Sequence, residues 1–357
     1  MKLRLAFPFV LLAACAHREG PAIELPPEAP AELPAAGGPA VQAIGDGFYA
    51  SAFPVMGTEI QITLQADDAR AAADAVRAAR DELLRLDALL SEWRADSPIS
   101  AVNRGAGGPP VPVPRELYDL VERSLQAAER SGGAFDPTWA SMRGLWRFGD
   151  AQDETVPSDA AIEQARKNVD WRGVRLDPVH TAIGLRAGQA LGLGGIAKGY
   201  AVDRLVAMFR DRGLANFAIR LGGDLFAAGT RNGRPWRAGI QDPRDPERTF
   251  AVAPVTDQAF STSGDYERFF VKDGVRYHHI IDPATGRPAT ASRSVTALCG
   301  DALTAEVVTK PVFILGAEKG IPYARGLGCE VVVVDAANGV HLSPGLEGRL
   351  DWTPPTP

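Results

Sequence analysis

This sequence has little cysteine: three residues in 357, at positions 15, 299 and 329. That excludes a disulfide-dense miniature scaffold. With no C-x-x-C pair and only five histidines, it also lacks the spacing of a Cys/His metal cluster. Positive charge is short as well. Lys and Arg number 38 against 44 Asp and Glu, a formal net charge of −6. A general nucleic-acid binder is therefore not expected. After the first residues no apolar run approaches the roughly 20 residues of a membrane-spanning helix, and no internal repeat is present. What remains is ordinary globular composition, 45% hydrophobic and 23% charged, long enough for one large core or two smaller ones.

The start, MKLRLAFPFVLLAACAHREG, has a basic leader (Lys2, Arg4), a short apolar run and small residues. That is the pattern of an export signal, residues 1–14. Its end, Leu12-Ala13-Ala14-Cys15, resembles a bacterial lipoprotein box. The expectation is lipidation at Cys15 and a protein exported and lipid-anchored to a bacterial membrane on the periplasmic side. Residues 15–45 are rich in Pro, Ala and acids and read as a tether. The folded domain is expected over 46–345, with a C-terminal tail over 346–357.

Within that domain YASAFPVMGTEIQITL ends as a strand, and DDARAAADAVRAARDELLRLDALLSEW is an amphipathic helix. Ala73, Val76, Leu83, Leu86 and Leu90 recur at helical spacing. Further helices are predicted over 115–131, 197–212 and 303–315, with a β-rich stretch over 216–298 and a strand in CEVVVVDA. Strands and helices mix without strict βα alternation, which predicts an α+β fold. Cys299 and Cys329 both lie in strand-like sequence, so a disulfide and two buried thiols are equally open.

Several stretches could carry chemistry. LGLGGIAKGYAVD places glycines at a helix start with Lys198 one turn in. Such a loop either packs closely or seats an anion. Its G-x-G-x-x-A spelling lacks the βαβ context of a dinucleotide fingerprint, and no P-loop is present. YHHIIDPATG carries adjacent histidines. On a regular strand His278 and His279 face opposite ways, so only one can serve a site as general base. STSGDYERFF is a hydroxyl-rich turn that either hydrogen-bonds a ligand or is simply a hairpin turn. In GGAFDPT and LLSEW, Phe135 and Trp93 are either core or stacking residues, and Asp136 suits a helix cap. Glu306 and Lys310 are i, i+4. They form either a surface ion pair or, with Thr309, part of a hard-cation site.

The order of these motifs is more specific than any one of them. MGT, LLSEW, GGAFDPT, GGIAKGYAVD, LGGDLFAAG, GIQDP, STSGDYERFF and YHHIIDPATGRP together resemble the ApbE family of FAD:protein FMN transferases, over about residues 50–340. The resemblance implies a T-fold-like α+β domain with mixed antiparallel sheets and packed helices. It implies FAD as substrate and Mg²⁺ as metal. FMN would pass through a phosphoester bond to a Thr or Ser of an exported flavoprotein acceptor, with release of AMP. It assigns FAD contacts to Met56, Trp93, Ala134, Phe135, Asp136, Gly192, Lys198 and Ile281. The metal positions are Gly195, Glu306, Thr309 and Lys310, and the base is His279.

Three positions depart from the family pattern. Gly192 and Glu306 stand where aspartates are usual, and Lys310 stands where a second hydroxyl is usual. Two other activities fit the same motifs: a Mg²⁺-dependent FAD pyrophosphatase, and a non-catalytic FAD-binding lipoprotein.

Overall fold

The computed structural model describes residues 39–148 and 154–357. The export signal, Cys15 and the tether through residue 38 lie outside the described residues. Nine strands form one antiparallel sheet. Their order is Gln42–Gly45, Phe48–Val55, Thr58–Gln65, Phe217–Leu221, Asp224–Ala228, Gln258–Gly264, Ser292–Cys299, Glu330–Asp335 and Val340–Leu342. Six α-helices accompany it: α1 Ala69–Leu90, α2 Pro98–Arg104, α3 Arg115–Arg130, α4 Asp159–Arg166, α5 Ala197–Asp211 and α6 Ala302–Gly326. The α+β expectation holds.

Both faces of the sheet are covered. Val331 and Val333 enter the main core, built with α1, α5 and α6, while Val332 and Val334 enter a second core. Side chains alternate across a strand, so a strand buried on both faces reads as the unbroken run VVVV. The second core is closed by the strands Trp236–Gln241, Thr249–Val255 and Asp351–Trp352. Helix α1 behaves as its periodicity requires. Asp68 caps it by accepting from the Ala71 N–H, and Ala72, Val76, Ala79, Leu83, Leu86 and Leu90 are buried. Each large apolar side chain sealed this way is worth about 1.5–3 kcal/mol.

Three expectations are corrected. The folded domain starts before residue 46, because Gln42–Gly45 is a sheet strand. Its side chains are largely exposed and its pairing is backbone alone, so it leaves no hydrophobic signature. The segment 346–357 is no loose tail. Leu346 is buried, Asp351–Trp352 pairs with Thr249–Val255, and Thr356 donates its N–H to Asp242. Ser261–Gly264 belongs to a strand, not a hairpin turn. The helix expected over 303–315 is present; it passes through Pro311 and ends at Gly316 (φ 73°), beyond which a second helical stretch continues to residue 326. Of the two alternatives left open for Cys299 and Cys329, the structure shows the disulfide. The pairing of Leu298 with Glu330 sets the two cysteines side by side, with Cα atoms 4.5 Å apart.

Candidate active site

The glycine-loop motif works by bringing α5 against α6. A Cβ on Gly199 would lie 2.4 Å from the Ala302 carbonyl, so only glycine allows this approach. The Gly199 N–H donates to Glu306 Oε2 (2.7 Å), and Lys198 Nζ donates to Glu306 Oε1 (2.5 Å). One turn on, Asp203 accepts from the Ala302 and Leu303 N–H groups at 2.7 and 3.0 Å, capping α6 from its neighbour.

Four charges meet here. Lys198 also lies 3.3 Å from Asp224, and Lys310 Nζ donates to the Glu306 carbonyl at 2.7 Å, 3.7 Å from Oε1. Ser261 donates to Asp224 (2.6 Å), and Ser263 pairs with Thr309 (2.7 Å). The Glu306 and Asp224 side chains are 0% and 4% exposed, whereas those of Lys198 and Lys310 are 28% and 24% exposed. The carboxylates are thus sealed beneath, while the two lysine side chains keep part of their surface in solvent. Burial opposes ionisation of Glu306, but Lys198 and Lys310 outweigh it and hold its pKa below the usual value. Burial, then repulsion from Glu306, raises Asp224. Burial opposes the charge on Lys198, and Glu306 and Asp224 reverse that and raise its pKa. Burial lowers Lys310, with Glu306 opposing.

A cleft of about 480 Å³ lies alongside, lined by Ala134, Asp136, Trp171, Arg172, Asp282 and Ile314 among others. Phe135 joins the two features. A Cβ on Gly195 would stand 3.1 Å from the Phe135 ring and 3.8 Å from Lys310 Cε. Asp136 turns its carboxylate inward. It accepts from Thr138 N–H and O–H and from Trp171 N–H, and caps the short helix Pro137–Met142. Trp93 is 76% exposed, with the Arg143 guanidinium 4.8 Å from its ring centre. Met56 sits in the turn after Val55 at φ 51°, packed on the main core. Ile281 packs on the Trp146, Ile162 and Phe270 cluster. Gly192 is buried, and a Cβ there would lie 2.8 Å from Glu92 and 3.0 Å from Ala140, so the chain packs closely at this point of the loop.

The histidines divide as the strand geometry requires. His278 is buried, with Nε2 on the Ala289 carbonyl (2.8 Å) and Nδ1 accepting from the Ile280 N–H (3.3 Å). Both its nitrogens are committed. His279 is exposed, and its Nδ1 faces the Arg268 carbonyl at 3.3 Å. A nitrogen facing a carbonyl carries the proton, which leaves Nε2 as a free acceptor. Desolvation, His278, Arg268 and Lys310 lower the His279 pKa, so the ring is neutral at neutral pH.

The residues at the expected Mg²⁺ position do not fit a divalent cation as arranged. Both Glu306 carboxylate oxygens are taken by Lys198 and Gly199. Thr309 donates to the Glu306 carbonyl and pairs with Ser263. No cluster of three or more His, Cys, Asp or Glu able to hold a metal occurs among the described residues. A divalent ion within 4 Å of the Lys310 ammonium would be repelled by about 8 kcal/mol, twice the unit-charge value at an effective dielectric of ~20. The alternative of a surface Glu306–Lys310 ion pair also fails, because Glu306 is buried. The sequence reading missed Asp224, Ser261 and Ser263 as members of the cluster. The acid in LGGD, at a strand start, was the available signal.

An α+β fold thus brings two lysines over buried carboxylates, with a cleft and an imidazole whose Nε2 is an acceptor. The chain belongs to the ApbE family, whose model matches residues 56–333. It is 36% identical over 324 residues to the FAD:protein FMN transferase of Treponema pallidum, covering 85% of this chain and 88% of that protein. It is 33% identical to one from Klebsiella pneumoniae, covering 78% of this chain and 82% of that one. Among solved structures, the ApbE protein of Thermotoga maritima superposes with a TM-score of 0.78 at 31% identity, over 85% of this chain and 99% of that one. The flavin transferase ApbE of Vibrio cholerae gives 0.76 at 26% identity, over 87% and 100%.

Proposed function

We propose that this protein is an FAD:protein FMN transferase. The observation that carries the reading is the pair of partly exposed lysines, Lys198 and Lys310, gathered on the buried Glu306, with Lys310 within electrostatic reach of His279. The cleft holds FAD, and the lysines bind its diphosphate and offset charge developing there. His279 Nε2 takes the proton of an acceptor Thr or Ser hydroxyl. That oxygen forms a bond to the FMN phosphorus as the bridging P–O bond breaks. The bond pair leaves with AMP. Phe135 and Trp93 suit contact with flat rings.

The acceptor is an exported flavoprotein, reached from a lipid anchor at Cys15 on the periplasmic side of a bacterial membrane. The basic leader, the apolar run and the Ala-Ala-Cys junction support that placement. No helix among the described residues is long and apolar enough to cross a membrane. Labelling cells with a clickable fatty acid tests it: the wild type is labelled, and Cys15→Ala is not.

The decisive assay mixes the full chain, FAD and an exported flavoprotein domain, and follows a fluorescent covalent flavin band together with AMP. Band and AMP are expected, both lost in His279→Ala. AMP without a band across several acceptors would make the protein a hydrolase, and bound FAD with neither product would overturn catalysis.

A further inference from the structure

Lys310 stands at the sequence position where the family pattern has a metal-binding hydroxyl, and its ammonium has partners of its own. Its Nζ donates to the Glu306 carbonyl at 2.7 Å and stands 3.7 Å from Glu306 Oε1. Its stem crosses from α6 to the glycine loop, with Cε close to Gly195. The neutral oxygens nearby are turned to one another: Thr309 to the Glu306 carbonyl and to Ser263. Glu306 has no free carboxylate oxygen. Lys198 and Lys310 therefore gather two positive charges around one carboxylate oxygen, at 2.5 and 3.7 Å from Glu306 Oε1, the same charge as one divalent ion. Glu306 and Asp224 hold them from below.

We infer that Lys310 replaces the divalent cation at this site, so that the diphosphate of FAD is bound and activated by two lysines and no metal ion is required. This rests on the transferase reading above. A diphosphate is the ligand such a pair suits: two anionic phosphates meet two ammoniums a few ångströms apart. Burial disfavours the charge on Lys310, and a bound phosphate supplies the second anionic partner that restores it. Lys310 makes no covalent change. Its part is to neutralise charge on the bridging and non-bridging oxygens as the P–O bond breaks.

The test uses the full chain and two readouts. Mn²⁺ alone is titrated against protein by electron paramagnetic resonance. FAD cleavage is measured as AMP release in EDTA and in Mg²⁺, with an exported flavoprotein domain present as acceptor. The expected results are no stoichiometric Mn²⁺ site in the wild type up to millimolar ion, and AMP release within twofold in the two buffers. In Lys310→Met, checked for folding by its melting transition, FAD affinity in EDTA falls at least tenfold and Mg²⁺ does not restore it. One equivalent of Mn²⁺ bound by the wild type overturns the inference, as does a tenfold loss of AMP release in EDTA. A Lys310→Met variant that binds FAD normally in EDTA also overturns it. A wild type that neither binds nor cleaves FAD in either buffer sinks the transferase reading and this inference together. Cleavage seen with Mg²⁺ only sinks this inference alone.

Discussion

Lys198 and Glu306, 108 residues apart in sequence, meet at 2.5 Å with the carboxylate fully buried. Its carboxylate thus accepts from Lys198 and the Gly199 N–H and locks the start of α5 to α6, while Lys310 donates to its main-chain carbonyl, 3.7 Å from Oε1. Removing its charge leaves Lys198 with Asp224 alone and Lys310 without a carboxylate within 4 Å among the described ion pairs. Glu306→Gln is expected to destabilise the fold by about 3–5 kcal/mol in urea unfolding at pH 7. Adding Lys310→Met should return part of the loss. A single-variant loss under about 1 kcal/mol would contradict the cluster as described.

Gly199→Ala tests the helix approach. The new methyl would meet the Ala302 carbonyl at 2.4 Å and Leu303 Cα at 2.7 Å, both backbone atoms. The helices must part, at a cost of about 1–3 kcal/mol. Transfer activity should fall more steeply than stability, because Lys198 moves with α5. Unfolding midpoints and AMP release measured on the same sample decide it.

Asp203→Ala removes a cap made across two helices, for an expected loss of about 1–2 kcal/mol. Burial pushes the Asp203 carboxyl up to about 6 from 3.8, against its two backbone donors. The folded state therefore binds this proton more tightly, and the wild-type contribution shrinks as pH rises through about 6. The penalty of the variant should be larger at pH 5 than at pH 8 by about 1 kcal/mol. A penalty that grows with pH would contradict the assignment.

His279→Ala should lower flavin transfer by about 10²–10⁴-fold while leaving FAD affinity nearly unchanged. His278→Ala should chiefly lower thermal stability, since both its nitrogens bond within the fold. Desolvation and nearby positive charge depress the His279 pKa from 6.5. The base form therefore persists into mild acid, and the acid limb of kcat should lie below pH 6.5. An acid limb above that value would assign the base elsewhere.

The Cys299–Cys329 disulfide closes a loop with a sequence separation of 30. Loop entropy gives a stabilisation of about 3–4 kcal/mol. Urea unfolding with and without reductant should show that difference, and a Cys299→Ala/Cys329→Ala variant should behave like the reduced protein. Equal midpoints would mean that the sheet pairing around the bridge already supplies the constraint.

Much of this was legible locally. The spacing of Val76, Leu83, Leu86 and Leu90 marks the buried face of α1. The ordered motifs led to the family that the comparisons then showed. The opposite facing of adjacent strand residues separated His278 from His279 before any coordinates. The strand Gln42–Gly45 and the docked C-terminal segment were not legible, because they are held by backbone pairing and by single side chains such as Asp242 and Arg248.

By itself, then, the sequence determined the periodic elements, the family and the candidate residues, since those signals span a few neighbours or a fixed order. Only the tertiary structure decided who meets whom. It paired Cys299 with Cys329 through strand register, and it enlisted Asp224 beneath Lys198. It also set Lys310 beside a carboxylate whose two oxygens are already bonded by Lys198 and Gly199. Contacts between residues 26 to 108 positions apart follow from how a two-sided sheet and its helices close over their cores, and no local pattern encodes that closure.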